Sequence, residues 1–201
     1  MRKKNDAMGE TIRKKTLELL MAREPEEIGM RDIAGACGVT ATTIYYYYRD
    51  KERLLEDVKR DCMDGMDRFI LERVGQEPDS GRKLRTGLAA FRDWCFANSR
   101  IALLVMNRFR PNLEADPPEM AVYYRSTFLA RDLIERAVAD GKARSVDPVL
   151  DASLCIAATW GAVESVLRSR TVLEYWNRGV EFTDGMIDIC CARLAQQGGS
   201  L

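Results

Sequence analysis

The sequence predicts an all-α fold, with a small N-terminal helix-turn-helix head and a larger C-terminal helical bundle. Three observations predict it. Apolar residues recur at three- and four-residue spacings along most of the 201 residues. No stretch alternates apolar and polar residues for long enough to mark a strand. The interruptions fall on Gly, Pro and Asp, residues that stop or start helices.

The elements follow in order. In "GETIRKKTLELLMARE", Ile12, Thr16, Leu19 and Leu20 share one stripe, with Arg13, Lys14, Lys15 and Glu18 largely on the other. Pro25 lies just past its end and discourages continuation. "MRDIAGAC" reads as a short helix with Met30, Ile33, Ala34 and Cys37 as its apolar positions, and Gly38 supplies the sharp stop. Thr40 can cap a third short helix, "ATTIYYYY", and Asp50 a long fourth, "KERLLEDVKRDCMDGMDRFILERV". The apolar stripe of the fourth runs Leu54, Leu55, Val58, Cys62, Met66, Phe69 and Ile70. After the loop "GQEPDSG", five more helical stretches read at roughly 82–97, 100–108, 118–140, 147–169 and 180–196. Two loops, "RPNLEADPP" and "DGKARSVDP", separate them; in the second, Gly141 can end one helix and Asp147 with Pro148 can start the next.

Composition narrows the function. With 46% hydrophobic and 31% charged residues, the chain can bury a core and stay dissolved. Its 31 basic and 31 acidic residues cancel, which argues against a generally basic protein and leaves room for a small local nucleic-acid surface. There is no histidine, so histidine acid–base catalysis is ruled out. The six cysteines, Cys37, Cys62, Cys95, Cys155, Cys190 and Cys191, form no C-x-x-C pair, so no metal site is expected and most read as small core residues. The sequence has no nucleophile–base motif and no phosphate-cradling Gly loop, so neither an enzyme nor a cofactor is expected. No apolar run approaches the roughly 18 residues of a membrane span, and no membrane partner is expected. "MRKKNDAMGE" has a basic cluster without the apolar region of a secretory signal, so a cytoplasmic protein is expected.

A short helix, a Gly-containing turn and a second short helix make the helix-turn-helix pattern. Ile33, Ala34 and Cys37 would pack the first helix, Val39 the turn, and Ile44 with Tyr48, spaced i, i+4, the second. The remaining face, Ala41, Thr42, Thr43, Tyr45, Tyr46 and Tyr47, is small or hydroxyl-bearing. That composition suits a helix entering a DNA major groove.

The segment resembles the DNA-binding domain of the TetR (tetracycline-repressor) family. The residues that carry the resemblance are Ile33-Ala34, Gly38-Val39-Thr40, Thr43-Ile44-Tyr45, Tyr47-Tyr48, Asp50-Lys51-Glu52 and Leu54. They cover about a quarter of the chain; the remainder agrees in length and helix pattern only. The resemblance implies a DNA-binding domain over residues 1–53 and a helical regulatory and dimerisation domain over 54–201. Arg31 and Ala41, Thr42 and Thr43 sit where relatives touch base edges, with Thr40 counted to the same surface. Tyr45, Tyr46 and Tyr47 match phosphate-contacting positions, and Lys51 matches a phosphate-binding lysine. Tyr48 matches a position usually held by Phe and is expected inside. Two departures stand out. Many relatives carry Lys-Gly at the positions of Ala41-Thr42, and Ala41 can only pack, for example on a thymine methyl. Glu24-Pro25 replaces a frequent Gly at the exit of the first helix.

For the C-terminal part the resemblance implies a ligand pocket between the fourth helix and the bundle. The candidates are Phe91, Trp94, Cys95, Asn98, Met106, Phe109, Tyr124, Phe128, Trp160 and Glu164, with Asn107 and Arg131 as further polar anchors. Taken singly, each of these aromatics is a core residue by composition. The last two long helices, rich in Ala, Gly, Leu, Ile and Val, would pair with those of a second subunit. The implied function is a ligand-responsive transcriptional regulator, a repressor that binds a palindromic operator as a homodimer and is released by a small-molecule inducer. Its partners would be double-stranded operator DNA, that effector and a second copy of the chain. The alternative is a DNA-binding protein controlled by a protein partner, which a solid bundle without a cavity would favour.

Overall fold

The computed structural model describes residues 6–106 and 117–195, with backbone alone over 117–123. They form α1 (Asp6–Ala22), α2 (Met30–Cys37), α3 (Ala41–Tyr47), α4 (Lys51–Gln76), α5 (Ser80–Ala97), α6 (Ser99–Met106), α7 (Pro117–Ala139), α8 (Pro148–Leu167) and α9 (Gly179–Leu194). Short 3₁₀ turns occupy Pro25–Glu27 and Leu173–Tyr175, and no strand occurs among the described residues. The chain divides into two compact units, Met1–Gly65 and Met66–Leu201. The expected break after residue 53 falls inside α4, which runs on from the first unit into the second.

In the first unit the helix ends are set by local chemistry. At the end of α2, Gly38 takes a left-handed conformation (φ 66°), and the Val39 N–H reaches back to the Ala34 carbonyl at 3.0 Å. That geometry ends the helix in one residue and costs least without a Cβ. Thr40 Oγ1 then accepts from the Thr43 N–H at 3.3 Å and starts α3. Asp50 Oδ1 accepts from the Arg53 N–H at 2.8 Å and starts α4. α1 packs on α2 and α2 on α3. Ile12, Ile33, Ile44 and Leu54 are fully buried and form the floor of the unit. Leu19 and Cys37, expected on the apolar stripes, are only half-buried. The chain does not simply stop at Pro25: Glu27 accepts the Glu24 N–H with its carboxylate, and Arg23 donates to the Glu27 carbonyl. These bonds build the 3₁₀ turn where relatives often place a Gly.

In the second unit α5 packs on α6, α7, α8 and α9, and α8 also on α6, α7 and α9. One cluster joins Leu84 and Leu88 of α5, Ala130 and Ile134 of α7, Ala152 and Cys155 of α8, and Ile187, Cys190 and Leu194 of α9. A second seats Met66, Ile70 and Val74 of α4 against Ala90, Leu129 and Leu133. Polar clasps fix the ends of α9. Buried Arg92 donates to Asp184 at 2.5 Å, and Asp151 accepts from Arg193 at 2.8 Å and from Ser145 at 2.6 Å. Gly179 opens α9 so close to α8 that an added Cβ would lie 2.6 Å from Val166 Cγ1. Asp147 caps α8 through the Leu150 N–H, with Pro148 in the first turn, and Gly141 (φ 70°) lies just after α7.

Burial pushes the Cys62 thiol up to about 11 and Cys95 up to about 12, so both remain protonated core groups. α8 has the length and mean hydropathy (1.3) of a membrane span, because Asp151 and Glu164 are the only charges that interrupt its apolar and small residues. Only 33% of that window is buried within this chain. Val149, Leu150 and Leu154 are exposed on α8, as is Ile189 on α9.

Candidate nucleic-acid interface

α3 has seven residues, and only Ile44 is buried. A helix this short is marginal alone and is held by its caps and by that one anchor. The caps turn the other side chains outward. Thr42, Tyr45 and Tyr46 are exposed, and Ala41 and Thr43 are half-exposed. Arg31, in the first turn of α2, is exposed, and its side chain makes no hydrogen bond or ion pair among the described residues. The Thr40 and Thr43 hydroxyls lie 3.1 Å apart and share a hydrogen.

The four tyrosines separate by burial. Tyr45 is 55% exposed and Tyr46 is 46% exposed, whereas Tyr48 is buried at 6%. Tyr48 stands just past the helix in an extended conformation (φ −128°), its N–H closing the last turn on the Ile44 carbonyl. Its hydroxyl accepts from Arg13 Nη1 at 3.3 Å, while Arg13 Nε donates to Asp61 at 2.5 Å. One guanidinium thus ties α1, the exit of α3 and α4 together. Tyr47 is half-buried: its ring edge comes within 3.9 Å of where a Cβ on Gly9 would sit. Its ring also meets Tyr46 edge-on, with centroids 5.3 Å apart. Of the three tyrosines expected to face outward, Tyr47 is therefore partly committed to packing against α1. Periodicity within α3 could not reveal that, because the contact is supplied by another helix.

Lys51 is also more committed than expected. Its ammonium donates to the carbonyls of Pro25 at 2.9 Å and Ile28 at 3.1 Å. Two of its three N–H groups are used on the 3₁₀ turn, which leaves one for an outside anion. The sequence signal for this was the Glu24-Pro25 departure itself, since the turn exposes carbonyls that need donors.

The second unit holds a cavity of about 60 Å³. Its walls come from α4 (Met66, Asp67, Ile70), α5 (Leu84, Gly87, Leu88, Phe91), α7 (Arg125, Ser126, Leu129, Ala130, Leu133) and α8 (Ile156, Thr159, Trp160). Phe91 and Trp160 stack with centroids 5.7 Å apart and planes 16° apart. Among the described residues, these two are the expected pocket residues on its wall. Cys95, Trp94 and Met106 pack instead in a neighbouring cluster with Ala102 and Val163. Asn98 bonds the Trp94 carbonyl and Glu164 pairs with Arg168 at 2.7 Å. Tyr124 and Phe128 are exposed, with Arg131 over the Phe128 ring. Asn107 and Phe109 lie outside the described residues. Among the described residues, no group of three or more metal-ligating side chains is brought together.

Comparison with known proteins agrees with this geometry. Residues 12–58 match the model of the bacterial regulatory proteins of the tetR family. A search of curated protein sequences gave no match. Among solved structures, a TetR family transcription regulator from Marinobacter aquaeolei VT8 superposes with TM-score 0.68 at 16% identity, covering 98% of this chain and 100% of that one. SmeT, the repressor of the Stenotrophomonas maltophilia multidrug efflux pump SmeDEF, gives TM-score 0.71 at 14% identity, with 96% and 93% covered. Thermus thermophilus FadR, a TetR family transcriptional repressor in complex with lauroyl-CoA, gives 0.68 at 15%, with 96% and 98% covered. At these identities the likeness is one of fold, while the matched head carries the family signature. Residues 12–58 thus match the tetR-family model, and the chain as a whole shares the all-α fold of these solved structures.

Proposed function

We propose that this protein is a dimeric, ligand-responsive transcriptional repressor that binds a palindromic operator. The observation that carries the reading is the outward face of α3. Thr42, Tyr45 and Tyr46 project from a short helix whose position is fixed by Ile44 and by caps at both ends, and α2, packed on it, carries an exposed Arg31 with no ion-pair partner among the described residues. In this reading Arg31, Ala41, Thr42 and Thr43 meet base edges. Tyr45 and Tyr46, with Tyr47 to the extent its packing allows, donate hydroxyls to phosphates. Lys51 adds its remaining N–H. One such head makes a small interface, and two-fold pairing would set two α3 helices about 34–36 Å apart on one DNA face. The exposed apolar residues of α8 and α9 supply a surface for that pairing.

The cavity supports control by a small molecule over control by a protein partner, since a solid bundle was the mark of the second. α4 contributes Met66, Asp67 and Ile70 to the cavity wall and Lys51 to the head. A ligand that binds one position of α4 better than another would shift the balance between DNA-competent and DNA-incompetent states. Selection of bound fragments from random DNA, repeated with a metabolite pool, tests both halves. A two-fold symmetric site and weaker binding with the pool are expected. A complex that no pool component alters would remove the regulatory half. Within the site, Arg31→Ala should relax sequence preference, whereas Tyr46→Phe should weaken binding to all sequences alike.

A further inference from the structure

Tyr48 leaves α3 in an extended conformation, and only Arg49 and Asp50 separate it from Lys51, where α4 begins. The angle between the reading helix and α4 is therefore set over a very short stretch. α3 itself packs on α2, and Ile44 with the Tyr48 ring provides its buried anchorage. Burial alone does not call for a tyrosine at 48. Phe would fill the same space and bring no hydroxyl into the interior. The Tyr48 hydroxyl has a partner, Arg13 Nη1 of α1, and that is its one hydrogen-bond partner among the described residues.

Arg13 is long and 27% exposed, so it has the freedom to swing away into water. Two features hold it. Its Nε donates to Asp61 of α4 at 2.5 Å. Its Nη1 lies over Gly9, where a Cβ would stand 3.7 Å away, with the Tyr47 ring on the same spot. Asp61 is half-exposed and pairs with Arg13 alone among the described residues. An ion pair this open contributes little by its own attraction. Its consequence is geometric. The guanidinium is a planar fork, so fixing one N–H on Asp61 aims another at Tyr48. Arg13, Tyr48 and Asp61 all belong to the first unit.

We infer that Asp61 is a positioning residue for the reading helix: through Arg13 it holds the Tyr48 hydroxyl, and so the pose in which α3 shows Tyr45 and Tyr46 to DNA. This rests on the reading of α3 as the DNA-binding helix. It adds a carboxylate of another helix, off the outward face, to the determinants of operator affinity.

The test is a double-mutant cycle in the full-length protein. Its members are Asp61→Asn, which keeps the shape and removes the charge, Tyr48→Phe, and both together. Two quantities are read well below the melting transition, where the head is folded in every variant. One is affinity for a duplex selected from random DNA with the wild type. The other is hydrogen exchange of the α3 amides without DNA. Charge alone predicts that removing a carboxylate from a DNA-binding head tightens its hold on phosphates. Asp61→Asn should instead weaken duplex binding, by about three- to tenfold. It should speed exchange of the Tyr48 amide, which closes the last turn of α3 on Ile44, by a similar factor. Tyr48→Phe should do the same, and the double variant should be no worse than either single one. Binding that holds or tightens in Asp61→Asn, or losses that add in the double variant, would overturn the inference. If the selection yields no duplex, the DNA reading falls on its own. The exchange cycle then decides whether Asp61 holds α3, and an unchanged Tyr48 amide in Asp61→Asn would show that it does not.

Discussion

The head and the bundle place their candidate sites in opposite ways. In the head, the site is the outside of α3. Each residue there points where it does because Gly38, Thr40 and Asp50 end and start helices within a few positions. In the bundle, the site is a space left among α4, α5, α7 and α8, defined by what four distant segments fail to fill. The first kind of site is local and rests on few interactions. The second is shared among many side chains and is correspondingly robust to the loss of one.

The largest effect that would sharpen this contrast comes from Ile44→Ala. The only buried side chain of α3 would be truncated, at a cost of about 2–5 kcal/mol. The head should melt early while the bundle keeps its own transition, so calorimetry should show two steps. A single undisplaced transition would mean that the bundle, not Ile44, holds α3.

Next comes Asp151→Asn, which probes the bundle alone. Burial would push this carboxyl up, but hydrogen bonds from Ser145 and Arg193 outweigh it and hold it below the usual carboxylate range. A depressed folded value means that the stabilisation is complete above the ordinary carboxylate pKa and is lost as pH falls through the folded one. At neutral pH the substitution should cost about 1–3 kcal/mol. Urea midpoints of variant and wild type should converge in acid. A gap that is constant with pH would show that the carboxylate's charge is not the stabilising element.

A smaller pair of changes tests the division of the tyrosines. Tyr48→Phe removes the acceptor for Arg13 and should lower stability by about 0.5–1.5 kcal/mol. Tyr46→Phe should leave the melting temperature alone and weaken DNA binding. If both act on stability, the exposed ring is structural after all. Smallest of all is Lys15→Ala. Its pair with Glu18 is exposed on both sides, and a change above about 0.5 kcal/mol in either unit's transition would be unexpected.

The same contrast explains what could be read in advance. The helices α2 and α3, their caps and the inward Ile44 and Tyr48 were legible, because period and turn chemistry act within ten residues or so of chain. The five bundle helices were legible from loops rich in Gly and Pro. The half-burial of Tyr47 was not, since it depends on Gly9 of α1. The engagement of Lys51 was signalled only by the Glu24-Pro25 departure, more than twenty positions upstream, and nothing local to Lys51 pointed to it. Of the expected cavity residues that are described, only Phe91 and Trp160 line the space. Aromatic type identifies a buried residue, but which buried residues border a void depends on side-chain volumes summed over four helices.

Gly179 has a reach beyond its own contact. α8 and α9 both carry exposed apolar residues, and how closely the two helices approach where α9 begins depends on the absence of one carbon atom facing Val166. The contour offered to a neighbouring molecule is therefore inherited from the interior. Two homologues with identical exposed residues on these helices but different atoms at this point would present different shapes, and would not be expected to mix.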